Sequence, residues 1–157
     1  MPNEKNNKAD RELTFSRLLD APIGLVWEVW TNPEHIKFWW GPDEFTNSIQ
    51  EMHVVPGGKW ELIMHGPDGT DYAIQCVFRA IIKYKRIVYE QLNQFKYIAT
   101  IEFEEQGNKT LIGWRMLFES KAELIHAAKT YGVVEGFRQN AQRLVDYLSS
   151  QPKHQQS

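Results

Sequence analysis

Asp20-Ala21-Pro22-Ile23-Gly24-Leu25-Val26-Trp27-Glu28-Val29-Trp30-Thr31-Asn32-Pro33, continued by Glu34-His35-Ile36-Lys37-Phe38-Trp39-Trp40-Gly41-Pro42, decides how the rest of the chain is read. Pro22 suits the first turn of a helix, where its missing N–H costs nothing. Ile23, Val26, Trp27 and Trp30 then recur at the spacing of one helical face. Asn32-Pro33 repeats the start signal, a capping side chain followed by a proline inside the first turn. The second short helix carries Ile36, Phe38, Trp39 and Trp40 and stops at Gly41-Pro42. Neither helix is basic, which argues against a DNA-reading pair. Trp39 and Trp40 are adjacent, so a helix cannot turn both to one side. Trp27, mid-stripe, reads as core; Trp39 and Trp40 divide evenly between core packing and the mouth of a cavity.

Working outward, Glu12 to Asp20 reads as a strand with Leu13, Phe15, Arg17 and Leu19 on one side. From Phe45 to Ser120 the pattern is β, cut by turn signals at Pro56-Gly57-Gly58 and Gly66-Pro67-Asp68-Gly69. Trp60, Leu62 and Met64 share one face; so do Tyr72, Ile74, Cys76, Phe78 and Ala80; so do Ile112, Trp114, Met116 and Phe118. Such alternation implies an antiparallel sheet with one buried face. Ser120 and Glu123 have capping-box spacing for a helix near 121–130, and Gly132 interrupts it. A long helix follows over 133–150, with Val134, Phe137, Ala141, Leu144, Val145 and Leu148 in one stripe. The class is α+β: a curved antiparallel sheet of six to seven strands around a long C-terminal helix, with two short helices after strand one. Residues 1–10 and 151–157 are polar and unpatterned and read as disordered tails around a single domain over 11–150.

Composition narrows the function. The 157 residues carry a net charge of −2, which gives no electrostatic footprint for nucleic acid. No apolar run approaches the ~20 residues of a membrane span, and the start has no signal-peptide core. One cysteine, Cys76, excludes an intrachain disulfide and a multi-cysteine metal site. These features point to a reduced, cytoplasmic setting. The five histidines form no metal-ligand pair, no cofactor fingerprint occurs, and Cys76 reads as a small buried hydrophobe; the expectation is no metal, no cofactor and no catalytic residue. Twenty aromatics stand out, six of them between Trp27 and Phe45.

Ala21-Pro22, the run Val26 to Ile36 and Trp39-Trp40-Gly41-Pro42 closely resemble the opening of the heat-shock-protein-90 ATPase activator homologue family. That family belongs to the START-like (SRPBCC, or Bet v-like) helix-grip superfamily. Further matches are Gly57-Gly58-Lys59-Trp60-Glu61, Met64 to Gly69, and Gly136-Phe137, Asn140, Leu144 and Tyr147-Leu148. The resemblance covers about residues 12–150. It implies a sheet gripping the C-terminal helix and, as is common in the superfamily, an apolar ligand in that grip: a lipid, sterol, polyketide, flavonoid or hormone. A minority of members are enzymes such as polyketide cyclases. The namesake co-chaperones carry a further N-terminal domain for which this chain has no room, so the namesake activity is not expected to transfer.

The candidate ligand-binding set is Trp30, Trp39, Trp40, Trp60, Leu62, Met64, Cys76, Phe78, Tyr89, Met116, Phe118, Tyr131, Phe137, Arg138 and Ala141. The expected partner is a small apolar molecule, lipid-like or aromatic, held without chemistry. His65, Tyr89, Arg115 and Arg138 are the polar groups considered near the cavity, with Arg115 expected to face solvent by alternation. Residues 33–42 and the Gly66–Gly69 turn are expected to gate it. Two other readings stay open. An exposed patch at Trp39, Trp40 and Phe45 would mark a protein-interaction module, stress-linked or chaperone-directed. A titratable cavity residue with a strongly shifted pKa would mark a cyclase-like enzyme.

Overall fold

The computed structural model describes residues 8–152. Of the expected tails, 1–7 and 153–157 lie outside the described residues, while Lys8–Arg11 forms a 3-10 turn leading into the first strand. The elements then run β1 (Glu12–Leu19), α1 (Ile23–Thr31), α2 (Pro33–Ile36), β2 (Thr46–Met52), β3 (Lys59–His65), β4 (Asp71–Ile82), β5 (Arg86–Gln91), β6 (Tyr97–Gln106), β7 (Lys109–Leu117), α3 (Lys121–Tyr131) and α4 (Val133–Ser149). All seven strands form one antiparallel sheet in the order β1-β7-β6-β5-β4-β3-β2. This is the α+β helix-grip architecture expected from the sequence. β2 and β4 each carry an irregularity, at Ile49/Glu51 and at Phe78/Ala80. An extra residue in one strand bends the pair and strengthens its twist.

The capping signals act where they were read. Asn32 accepts a hydrogen bond from the Glu34 N–H, with Pro33 inside the first turn of α2. Ser120 accepts from the Glu123 N–H at the start of α3. Gly132, at φ +64, ends α3 and begins α4, a left-handed conformation that costs glycine nothing.

Two stripes differ from expectation. Val133, not Val134, leads the buried face of α4, and Val134 is exposed. α1 is buried nearly all round, with Leu25 and Val29 joining Val26, Trp27 and Trp30. The reason is that α1 lies between the sheet and the segment that follows it: Trp27 meets Phe103 of β6, and Trp30 meets both Trp39 and Trp114.

The two adjacent tryptophans resolve differently from a helical reading. α2 ends at Ile36, and the chain turns through Lys37 to Gly41. Freed from helical geometry, Trp39 and Trp40 both go inward, at 1% and 6% exposure, and Phe38 alone points out, stacked on Tyr147. The exposed patch that an interaction module would have used is therefore absent at Trp39 and Trp40, and Phe45 is half-buried.

Candidate functional site

The inner face of the sheet is filled unevenly. At one end Trp60 stacks on Phe78 at 5.7 Å, and Trp30, Trp39 and Trp114 interlock edge to face at 4.8–6.3 Å. Perpendicular rings set a positive edge against a negative face, a favoured aromatic arrangement. Three indole N–H groups here, on Trp30, Trp60 and Trp114, have no hydrogen-bond acceptor. Their rings pack against other aromatic rings, and ring faces can serve as weak acceptors of N–H.

At the other end the sheet is not filled. A cavity of about 200 Å³ opens between the ends of β3, β4, β5, β6 and β7, the 40–45 loop, and the junction of α3 with α4. Its sheet wall is Met64, Tyr72, Ile74, Tyr89, Gln91, Tyr97, Trp114 and Met116; its helical wall is Val133, Gly136, Phe137 and Asn140. Trp40 with Gly41, Pro42 and Phe45 forms one rim, and Gln94, Phe95 and Thr130 to Gly132 form the other. No aspartate, glutamate, lysine, arginine or histidine lies on this wall.

Of the fifteen residues expected from the sequence, Trp40, Met64, Tyr89, Met116, Tyr131 and Phe137 meet at the cavity. Trp30, Trp39, Trp60, Leu62, Cys76, Phe78, Phe118 and Ala141 lie in the core away from it. Arg138 is on the surface, paired with Glu135. Arg115 faces solvent as alternation required, near Glu12 and Glu102. His65 does not approach the cavity: it stands on the outer face, between Ser48 Oγ at 2.8 Å and Asp71 Oδ1 at 2.8 Å. The Gly66–Gly69 turn is not on the rim; Gly66 packs behind Phe45.

Register explains the misses. Trp60 and Met64 share a face of β3, as do Cys76 and Tyr72 of β4, but Trp60 pairs with Cys76 and Met64 pairs with Tyr72. The first pair belongs to the filled end and the second to the open end. Alternation shows which side of the sheet a residue takes, and depth along the strand comes only from pairing. Tyr97 and Gln91 are opposite each other in β6 and β5, again at the open end.

The polar groups of the deep cavity are mostly engaged. Gln91 Nε2 donates to the Asn93 and Phe95 carbonyls at 3.1 and 3.0 Å. Asn140 Nδ2 donates to the Trp39 carbonyl at 2.9 Å. The Tyr89 and Tyr97 hydroxyls face each other at 2.9 Å. Burial, and then the proximity of each other's and Cys76's charge, holds Tyr89 well above its ordinary value of 10.0; burial raises Tyr97 likewise. Burial also raises the Cys76 thiol. All three stay protonated through the neutral range.

The loop over the mouth is fixed from α4. The Arg143 guanidinium donates to five carbonyls, those of Phe38, Trp40, Gly41, Pro42 and Phe45, at 2.7–3.1 Å. Its partial burial lowers its pKa from the ordinary guanidinium range. Gln139 Oε1 accepts from the Asp43 N–H at 3.0 Å. Gly136 brings α4 so near that a Cβ would lie 3.2 Å from Pro42. These α4 residues are 94 or more positions from their partners; Gly136 falls within the quoted resemblance, and nothing in the sequence pointed to Gln139 or Arg143.

Among the described residues, no group of three or more His, Cys, Asp or Glu could hold a metal ion, and no helix is long and apolar enough to cross a membrane. No curated protein matches the chain. Solved structures of bacterial proteins share the fold at low identity. One from Arthrobacter aurescens is 23% identical, covering 94% of this chain and 91% of that one, with a TM-score of 0.83. One from Nitrosomonas europaea is 22% identical, covering 90% and 96%, at 0.79. One from Mycobacterium smegmatis is 20% identical, covering 93% of each, at 0.75. The family model described as activator of Hsp90 ATPase homolog 1-like protein matches residues 20–149. That match spans most of the chain, and the chain belongs to this family of helix-grip proteins.

Proposed function

We propose that this protein binds a small apolar molecule in the cavity between the sheet and α4, without performing chemistry on it. The observation that carries the reading is the unequal filling of the inner face. Trp27, Trp30, Trp39, Trp60 and many smaller apolar groups pack the rest of the inner face tightly, yet a cavity of about 200 Å³ persists at one end, walled largely by aromatic and methionine side chains. An apolar cavity costs stability in proportion to its size, and an occupant would offset that cost. Burial of the ligand's apolar surface supplies about 25 cal/mol per Å². Met64 and Met116 give the wall adaptable shape.

The same wall argues against the cyclase-like alternative. General acid–base work near neutrality needs a group that titrates there. The cavity wall has no carboxylate or imidazole, and its deep phenols are pushed away from neutrality.

Native mass spectrometry of freshly purified protein, with solvent extraction of whatever is carried along, tests the proposal. The expected result is a small neutral or weakly polar molecule at up to one equivalent. Recovery of nothing, with no thermal shift across a panel of one- and two-ring apolar compounds, would count decisively against it.

A further inference from the structure

The Tyr89–Tyr97 pair holds two phenolic protons, and one hydrogen bond between the rings uses one of them. Among the described residues neither hydroxyl has another protein acceptor. Both side chains are more than nine-tenths buried, and both line the cavity. A buried donor left without an acceptor carries a desolvation cost, whereas a spare lone pair on a hydroxyl oxygen is commonplace. The nearby amides of Gln91 and Asn140 already donate to backbone carbonyls. The Trp114 N–H also lacks an acceptor, but its ring is packed among aromatic rings, with the Trp30 and Phe137 rings near-perpendicular to it at centroid distances of 4.8 and 4.9 Å. The second phenolic proton is thus the buried hydroxyl donor on this wall that asks for an oxygen.

The wall also restricts charge and size. It carries no ionised side chain, so an anionic or cationic ligand would enter with no counter-charge and lose its hydration. A dry apolar cavity of roughly 150 Å³ takes benzene. The present volume, about 200 Å³, suits one ring with a short substituent or a small fused bicycle.

Resting on the ligand-cavity reading above, we propose that the ligand is a neutral, flat one- or two-ring molecule with a carbonyl-type oxygen, and that the Tyr89–Tyr97 pair is the anchor for that oxygen. One phenol donates to the other, and the acceptor in turn donates to the ligand. Polarisation along such a chain strengthens the terminal donor.

Isothermal titration with 1-indanone, indane and indane-1-carboxylate tests this directly. Indanone and indane share one bicycle and differ in the ketone oxygen. Hydrophobicity alone favours indane, the less water-soluble of the two. The wild type is expected to reverse that order, binding indanone about tenfold more tightly, the size of one good hydrogen bond. The carboxylate is expected not to bind. In Y89F/Y97F both hydroxyls go together, which leaves no orphan and preserves shape, and indane is expected to become the tighter ligand. Near-ultraviolet circular dichroism checks that this variant is folded; if it is not, Y97F alone, which removes the relay and keeps one donor, is expected to narrow the preference. Indane favoured by the wild type, an order unchanged in the tyrosine variants, or tight binding of the carboxylate would each overturn the anchor while leaving the cavity in place. No binding of either neutral bicycle would overturn the cavity reading and the anchor with it.

Discussion

Arg143 carries more of the mouth's geometry than any other single side chain. Five carbonyls of the 38–45 segment converge on one guanidinium, and a planar group with five N–H donors in a fixed fork suits that task. Segments that avoid regular structure leave carbonyls unpaired, and burial makes that costly. Truncation in R143M removes every partner at once while keeping much of the stem's packing. The expected loss is about 2–4 kcal/mol, since charge-assisted hydrogen bonds contribute roughly 1.5–3 kcal/mol each but relaxation lets water reach some of the carbonyls. R143K keeps the charge and offers three donors from one point, so it is expected to fall between the two. Urea unfolding monitored by tryptophan fluorescence measures both. An R143M midpoint equal to the wild type would show that water already serves these carbonyls.

At the scale of elements, the contact between α4 and the mouth loop is set by Gly136. A mid-helix glycine usually costs about 1 kcal/mol relative to alanine. Here G136A would place its Cβ 3.2 Å from the Pro42 ring, and the Pro42 carbonyl is held by Arg143 at 2.7 Å. The loop cannot retreat while that bond stands. G136A is therefore expected to destabilise the wild type by about 1 kcal/mol in spite of its better helix propensity. In the R143M background the loop is free to move, and the same change is expected to be neutral or stabilising. The double-mutant cycle reads this coupling, and additive effects would show that the two contacts are independent.

The same contact shows what was legible in the sequence. Helix and strand identity rests on local periodicity and caps, so Asn32-Pro33, Ser120 and the alternating strands gave the element order correctly. The inner face was legible too, because β side chains alternate. The cavity was not, because it occupies one end of that face and end-to-end position depends on register between strands far apart in sequence. Met64 and Trp60 look equivalent until β3 is paired with β4. Trp39 and Trp40 look opposed only if a helix continues through them, and it ends at Ile36. Their inward turn depends on Asn140 and Arg143, whose side chains take the Trp39 and Trp40 carbonyls from more than 100 residues away.

For the whole molecule, three buried acids make the folded state sensitive to alkali. Burial raises the pKa of Tyr89, Tyr97 and Cys76 above their ordinary values of 10.0, 10.0 and 9.0. In the unfolded chain the thiol ionises near pH 9 and the phenols near pH 10; in the folded chain all three keep their protons further. Above pH 9 the folded state therefore binds more protons than the unfolded one, and stability falls as pH rises. The contribution is fully present below pH 9. Each group adds a slope of about 1.4 kcal/mol per pH unit, so about 4 kcal/mol per unit is expected once all three differ, above pH 10. Urea midpoints collected from pH 8 to 11 should decline from about pH 9 and steepen past 10. Y89F/Y97F should keep a shallower slope, from the thiol and from Tyr147, whose pKa burial also raises. This measurement also reports on the cavity as a solvent. If water reached the phenol pair freely, the hydroxyls would titrate in the folded state much as they do in the unfolded one, and the two proteins would give parallel curves. A steep wild-type curve flattened by the double substitution would mean that the space beside Tyr89 and Tyr97 excludes water well enough to hold an apolar guest.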